Sequence, residues 1–208
     1  MGRQRDSSID KRVIAAAIDC YADDGWAGFN FEAVARRAGV GRPAIYLRWL
    51  TRAELLIDAF RQTSEPIRAV DLGDLREDLR HIGNEYCRTM AGSRGRAGVR
   101  LELEREAARE VHSVVAAEIS MPRQRLLFAA LERARRRGQI RDGVDLERVV
   151  ETFFGAFLQA AWFSSDSGTP LRGGETTSID RVTGIVDIFI NGLSMDRKLP
   201  PKSRRQFD

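Results

Sequence analysis

The stretch from Asn30 to Trp49 limits what this chain can fold into more than any other. Two short amphipathic segments, Phe31 to Ala38 and another opening after Gly41, are joined only by Ala38-Gly39-Val40-Gly41. So tight a link cannot fold two helices back as an antiparallel bundle hairpin; it suits helices that cross steeply, as in a helix-turn-helix. Gly39 supplies the left-handed backbone at the turn. Val34, Ala35, Val40 and Ile45 supply small apolar contacts between the helices, and Asn30 can cap the first of them. The second segment runs to about Trp49 and turns Arg42, Pro43, Ala44, Leu47 and Arg48 outward, with Tyr46 at the edge. Such a surface fits a major groove, where a guanidinium forks onto guanine and small apolar groups meet a thymine methyl. The plainer reading of the same pair is an ordinary corner between two helices.

The remainder is punctuated as helices throughout. Ile9, Val13, Ala16, Ala17 and Cys20 recur at spacings of three and four and predict a first helix ending near Gly25. Thr51-Arg52-Ala53-Glu54 has the form of a capping box opening a helix that runs through Phe60. Leu75, Leu79, Ile82, Tyr86 and Met90 mark another, which the stretch from Gly92 to Gly98 should break before helix resumes from Val99 to Arg109. Ser113 to Arg137 reads as one long helix kinked at Pro122 and closed by Gly138. Asp145 caps an apolar helix carrying Phe153, Phe154, Phe157 and Trp162, and a last helix holds Ile179 to Leu193. Residues 166–177, rich in glycine, predict a mobile loop, and residues 197–208 a disordered basic tail. The class is all-α.

Composition closes off other classes. Lys plus Arg number 34 against 30 Asp plus Glu, a net charge of +4, compatible with a nucleic-acid partner but weak support for one. Arginine outnumbers lysine along the whole chain, so charge placement matters more than charge count. Cys20 and Cys87 lie far apart and suggest neither a disulfide framework nor a zinc site. The N-terminus leads into charged residues without a signal peptide, and no apolar run approaches the ~18 residues a membrane span needs. A soluble, cytoplasmic protein with no membrane partner is expected. A di-iron helical bundle would need Glu-x-x-His pairs, whereas Glu110 and His112 are two apart and His81 has no Glu three residues before it. Phosphate-binding glycine loops and a nucleophile elbow are missing too. No catalytic residue, metal or cofactor is therefore expected.

Taken together, Gly25-Trp26, the run Phe31-Glu32-Ala33-Val34-Ala35-Arg36-Arg37-Ala38-Gly39-Val40-Gly41-Arg42-Pro43-Ala44-Ile45-Tyr46-Leu47-Arg48-Trp49 and Thr51-Arg52-Ala53-Glu54-Leu55 resemble the N-terminal domain of the TetR family. Arg137-Gly138-Gln139-Ile140 and Asp145-Leu146-Glu147 resemble its regulatory domain more loosely. The resemblance implies a transcriptional regulator that binds a palindromic DNA operator as a homodimer and is released by a small-molecule effector, an activator being the alternative. It places Arg42, Pro43, Ala44 and Leu47 at base edges and Tyr46 and Arg48 at phosphates. Asn30 is placed near the backbone, and Arg52, with a backbone N–H of the fourth helix, at a further phosphate. Gly41 stands where the family commonly has Ser, and Leu47 where a polar or aromatic residue is common.

The implied division is residues 1–62 for DNA, with the motif at about 31–50, 63–196 for regulation and dimerisation, and 197–208 as tail. Tyr86, Met90, Phe128, Phe157 and Trp162 are candidates to line an effector pocket, each with plain core as its alternative. Phe153, Phe154, Ile185 and Phe189 are candidates for the dimer interface, although so wide an apolar stripe also suits burial within one protomer. Arg36 and Arg37 fit a solvated face as well as a DNA contact, while Trp26 and Trp49 read as core.

Overall fold

The computed structural model describes residues 7–65, 68–69, 71–163 and 178–194, with no strand among them. The expected loop at 166–177 and tail at 197–208 lie outside the described residues. The helices are α1 (Ser7–Gly28), α2 (Phe31–Ala38), α3 (Arg42–Tyr46), α4 (Arg52–Thr63), α5 (Leu75–Met90), α6 (Gly92–Leu103), α7 (Arg109–Val115), α8 (Met121–Arg136), α9 (Leu146–Phe163) and α10 (Ser178–Leu193). A π-helical turn, Ala116–Ser120, joins α7 to α8.

Several helix ends have a local cause. Asp74 accepts the Glu77 N–H at 3.1 Å to open α5, and Asp145 accepts those of Glu147 and Arg148 to open α9. At Thr51 the capping box is complete. Inside α1, Gly25 has φ +66, so regular helix stops where the sequence places the end.

Two boundaries differ from expectation. The glycines after Met90 do not break the chain beyond a single turn: α6 starts at Gly92 and includes Gly95 and Gly98. Gly95 serves close packing, since a Cβ there would stand 1.9 Å from the Met90 carbonyl oxygen. Where continuity through Arg109 is expected, helix stops at Leu103 and restarts at Arg109, with residues 104–108 forming a turn in which the Ala108 N–H bonds the Glu104 carbonyl at 2.9 Å. The kink or break expected at Pro122 is instead a change of helical pitch at Ala116–Ser120, and α8 runs through Pro122. The chain widens to a π turn just before a residue that has no N–H for the ladder and whose ring crowds the preceding turn.

Packing divides into two apolar cores. One gathers Val13, Tyr21, Phe29, Ile45, Leu56 and Phe60 from α1–α4, but also Ala97 and Leu101 from α6 and Val111 and Val115 from α7. The other gathers Leu79, Ile82, Leu127, Leu131, Phe153, Phe157 and Val186 from α5, α8, α9 and α10. The first core thus continues past residue 62. α1 lies against α6 and α4 against α7, so the N-terminal unit is built onto the rest rather than tethered to it. Arg61 of α4 reinforces this with two bonds of 2.7 Å to the Glu118 carboxylate in the π turn.

Candidate nucleic-acid interface

The turn between α2 and α3 is fixed from both sides. Asn30 Oδ1 accepts the Ala33 N–H at 2.9 Å, satisfying a free donor at the start of α2. Gly39 sits at φ 63, ψ 40, and the N–H of Val40 reaches the Ala35 carbonyl at 3.1 Å to close the other end. That left-handed residue would strain any side chain bearing a Cβ. Ile45 is fully buried and pins α3 to the first core, while Gly41 caps α3 with backbone only.

With Ile45 inward, the opposite face is bare. Leu47 is 80 % exposed and Tyr46 57 %, the latter with its ring edge-on to Phe31 at 4.9 Å. Arg42 and Pro43 are exposed and Ala44 is half-buried. Arg42 pairs with Glu32 at 2.7 Å in full view of solvent, a contact of little net strength that a stronger acceptor can displace. Leu50, 82 % exposed, joins this surface although sequence reasoning passed over it. Its position beside the α4 cap was the available signal.

Two arginines expected at phosphates are engaged inside the protein. The Arg48 side chain is only 14 % exposed, bonded to Asp10 of α1 and to its own Ala44 carbonyl at 2.7 Å. Arg52 donates from Nη1 to the carbonyls of Trp26 and Phe29, each at 2.9 Å, and its guanidinium lies 4.0 Å over the Trp26 ring. The acceptors come from opposite ends of α1: Asp10 near its start takes Arg48, and the carbonyls of Trp26 near its end and of Phe29 just beyond take Arg52, in a segment that pattern reading had treated as apolar helix alone. The backbone donors before α4 are likewise taken: Glu54 Oε2 accepts the N–H groups of Leu50 and Thr51 at 2.8 and 3.2 Å. Arg36 and Arg37 are both exposed on α2, and Arg37 is tied to Asp23 at 2.6 Å. Trp49 is buried with its indole N–H on Asp58 at 2.9 Å, and Trp26 is half-buried under Arg52.

A second feature lies in the larger part of the chain: a cavity of about 330 Å³ between α5, α6, α8 and α9. Tyr86 and Met90 line it as expected. Phe128 does not; it packs on the second core. Neither does Phe157, whose fully buried ring occupies the space where a Gly83 side chain would stand. The Trp162 side chain lies outside the described residues. Phe154, expected at a dimer interface, instead faces the cavity beside Tyr86, with ring centroids 4.9 Å apart. Phe153 is fully buried against Phe157 and Phe189 within one protomer and so has no surface to offer a partner. Ile185 and Phe189 are half-buried on the second core, and Ile188 of α10 is 72 % exposed.

The cavity also contains charge that sequence reasoning missed. Arg94 and Arg123 both line it, and burial pushes the Arg94 guanidinium down to about 10 and lowers that of Arg123. The Tyr86 phenol is pushed up to about 12, first by burial. No pattern marks a buried arginine in a chain so rich in surface ones. Among the described residues no three His, Cys, Asp or Glu side chains gather as a metal site would require, and no helix is long and apolar enough to cross a membrane.

An all-α chain with a glycine-turned helix pair displaying a basic and apolar face defines the class of helix-turn-helix DNA-binding proteins. Known proteins agree. Residues 13–59 match the model of bacterial regulatory proteins of the tetR family, and residues 69–173 that of the tetracyclin repressor-like C-terminal domain. The HTH-type transcriptional regulator AqdR of Rhodococcus erythropolis is 31 % identical over 152 residues, covering 73 % of either chain. The chain belongs to the TetR family and is a DNA-binding transcriptional regulator rather than an enzyme. Among solved structures, the regulator FadR of Bacillus subtilis in complex with stearoyl-CoA superposes with a TM-score of 0.63 at 17 % identity, over 88 % of this chain and 98 % of its own. A transcriptional regulator from Saccharomonospora viridis in complex with choline does so with a TM-score of 0.67 at 13 % identity, over 91 % and 100 %.

Proposed function

We propose that the chain is a dimeric repressor that holds a palindromic operator through α3 and lets go when a small molecule enters the cavity. In this reading residues 1–62 bind DNA, and residues 63–196 sense the effector and dimerise through α9 and α10. The observation that carries the DNA reading is the uncovered face of α3, where Leu47 and Tyr46 are largely exposed beside Arg42. Exposed apolar side chains next to a solvent-exposed guanidinium make sense against thymine methyls and guanine edges, and poor sense against water. Dimerisation is supported by the geometry of reading: two recognition helices serve half-sites about 34–36 Å apart. The half-buried Ile185 and Phe189 with exposed Ile188 give α10 an apolar flank for the partner.

The switch rests on α4, which stands between the two functions. Its N-terminal end follows the recognition helix, and its C-terminal end touches the cavity wall through Arg61–Glu118 and through Arg94, which lies 4.5 Å over the Phe60 ring. A ligand that moves α4 changes the spacing of the two recognition helices. Coupling of about 1–3 kcal/mol changes operator affinity about 5–150-fold. The neighbours crystallised with stearoyl-CoA and with choline support small-molecule control, and their opposite charges leave the ligand's charge to be read from this chain's own residues.

The test is selection of duplexes from a random pool by the full-length protein. Recovery of a palindrome with half-sites one DNA turn apart is the expected result. Enrichment of no sequence, or of a single asymmetric site, overturns the reading.

A further inference from the structure

Two guanidiniums line the cavity with no carboxylate to neutralise them among the described residues. Arg123 is 9 % exposed, and its Nη2 is buried without a hydrogen-bond partner among the described residues. Arg94 has a buried, unpartnered Nε; its Nη2 donates to Ser64 Oγ at 2.7 Å, a neutral acceptor. The groups that face Arg94 are Arg123, of like charge, and the Tyr86 phenol, which also faces Arg123. Glu102 is the carboxylate on the cavity wall, but its side chain is 60 % exposed and bonded to His112 at 3.0 Å. It acts on Tyr86 and on neither arginine.

Burying two like charges without a counter-ion is unfavourable twice over, through lost hydration and through mutual repulsion. Packing alone has no use for such a pair. A cavity that keeps it is prepared for negative charge from outside the chain, and a guanidinium fork matches a carboxylate or phosphate in shape as well as sign. We propose that the cavity takes an amphipathic anion, with an apolar body against Tyr86, Met90, Phe154 and Leu158 and a carboxylate- or phosphate-type head between Arg94 and Arg123. This inference rests on the effector-responsive reading above and names the chemistry of its ligand. The volume of about 330 Å³ lies near the lower end of the ~300–1,000 Å³ of small-molecule sites, which favours a compact body. Because Arg94 also holds Ser64 and covers Phe60 at the end of α4, a head group drawing on Arg94 competes with the contacts that fix that helix.

The test is calorimetric titration of the full-length protein with four ligands of one chain length: octanoate, octyl phosphate, octanol and octylammonium. At least one of the two anions should bind roughly tenfold or more tighter than octanol, the worth of one charge-assisted contact, and octylammonium should not bind. Which anion is preferred identifies the head group. Arg123→Met should abolish the preference for the anion over octanol while raising the melting temperature of the ligand-free protein, since an unpaired buried charge has gone. An arginine present for packing would give a lower melting temperature instead. If Arg123→Met does not fold by circular dichroism, Arg94→Met carries the same comparison of anion with alcohol. The inference is overturned if neither anion binds, if octanol binds as tightly as both, or if the folded variant keeps the parent's preference. The two readings fail separately. Octanol that binds as tightly as both anions and releases DNA removes the anion alone, whereas an anion that binds tighter than octanol without changing operator affinity removes the switch alone.

Discussion

Replacing Arg52 by alanine separates a structural arginine from a phosphate ligand, because the two roles predict opposite pairs of results. In the structure its Nη1 serves the carbonyls of Trp26 and Phe29, both at 2.9 Å, and the guanidinium covers Trp26 at 4.0 Å. A hydrogen bond involving a charged group is worth about 1.5–3 kcal/mol net. A partly exposed cation–π contact adds about 0.5–1 kcal/mol. One half-buried group makes all three contacts, so they do not add in full, and a loss of about 2–4 kcal/mol is expected for Arg52→Ala. At about 2–4 °C per kcal/mol for a chain of this size, the melting temperature should fall by about 4–16 °C. Arg52→Lys should recover only part, because an ammonium cannot lie flat on the indole and reach two carbonyls together. The assay is thermal unfolding by circular dichroism, paired with anisotropy titrations on a selected duplex at several salt concentrations. The slope of log affinity against log salt should be unchanged. A phosphate contact would instead leave stability intact and reduce that slope by about 0.9. An unaltered melting temperature with a reduced slope refutes the placement of Arg52.

Two further outcomes follow from contacts between elements. The Arg61 guanidinium holds the Glu118 carboxyl below its ordinary range, so the contribution of this pair is present above the free carboxylate's pKa and disappears as pH falls through the depressed one. Thermal melts of the parent and Glu118→Gln should therefore differ near neutrality and converge in acid; a difference independent of pH would contradict the pairing. In the second core, a Cβ on Gly83 would stand 2.6 Å from Cζ of Phe157, so Gly83→Ala should destabilise by about 1–3 kcal/mol in urea unfolding. Phe157→Leu in the same chain should relieve part of that loss, and strictly additive effects would place the ring elsewhere.

What could be read from the sequence was whatever had a local cause. Asn30, Gly39, Thr51 and Asp145 cap or stop helices through their own side chains or backbone, and each does so where its neighbours in sequence indicate. The outward face of α3 followed from the inward position of Ile45. Distant partners could not be read in this way. Arg48 is claimed by Asp10, 38 residues earlier, and Arg52 by carbonyls 26 and 23 residues earlier. Nothing in the local pattern of an arginine tells a phosphate ligand from an internal strut. The same holds for Phe153 and Phe154, adjacent on α9: helical geometry points one into the core and the other at the cavity, and only the packing of α5 and α10 decides which. Arg94 and Arg123 were hidden for a further reason. Burial of a charge runs against the expectation from composition, and that is why it marks a site.

Arg42 offers the sharpest trial of DNA reading by α3. With a duplex recovered by selection, affinity should be measured for the parent and Arg42→Ala on that site and on every single base-pair replacement within it. Breaking the exposed Arg42–Glu32 pair costs the parent little, so the loss on the best site should be about 1–3 kcal/mol, with discrimination vanishing at one base pair in each half-site. A variant that weakens all duplexes equally, or discriminates at every position as the parent does, would contradict it.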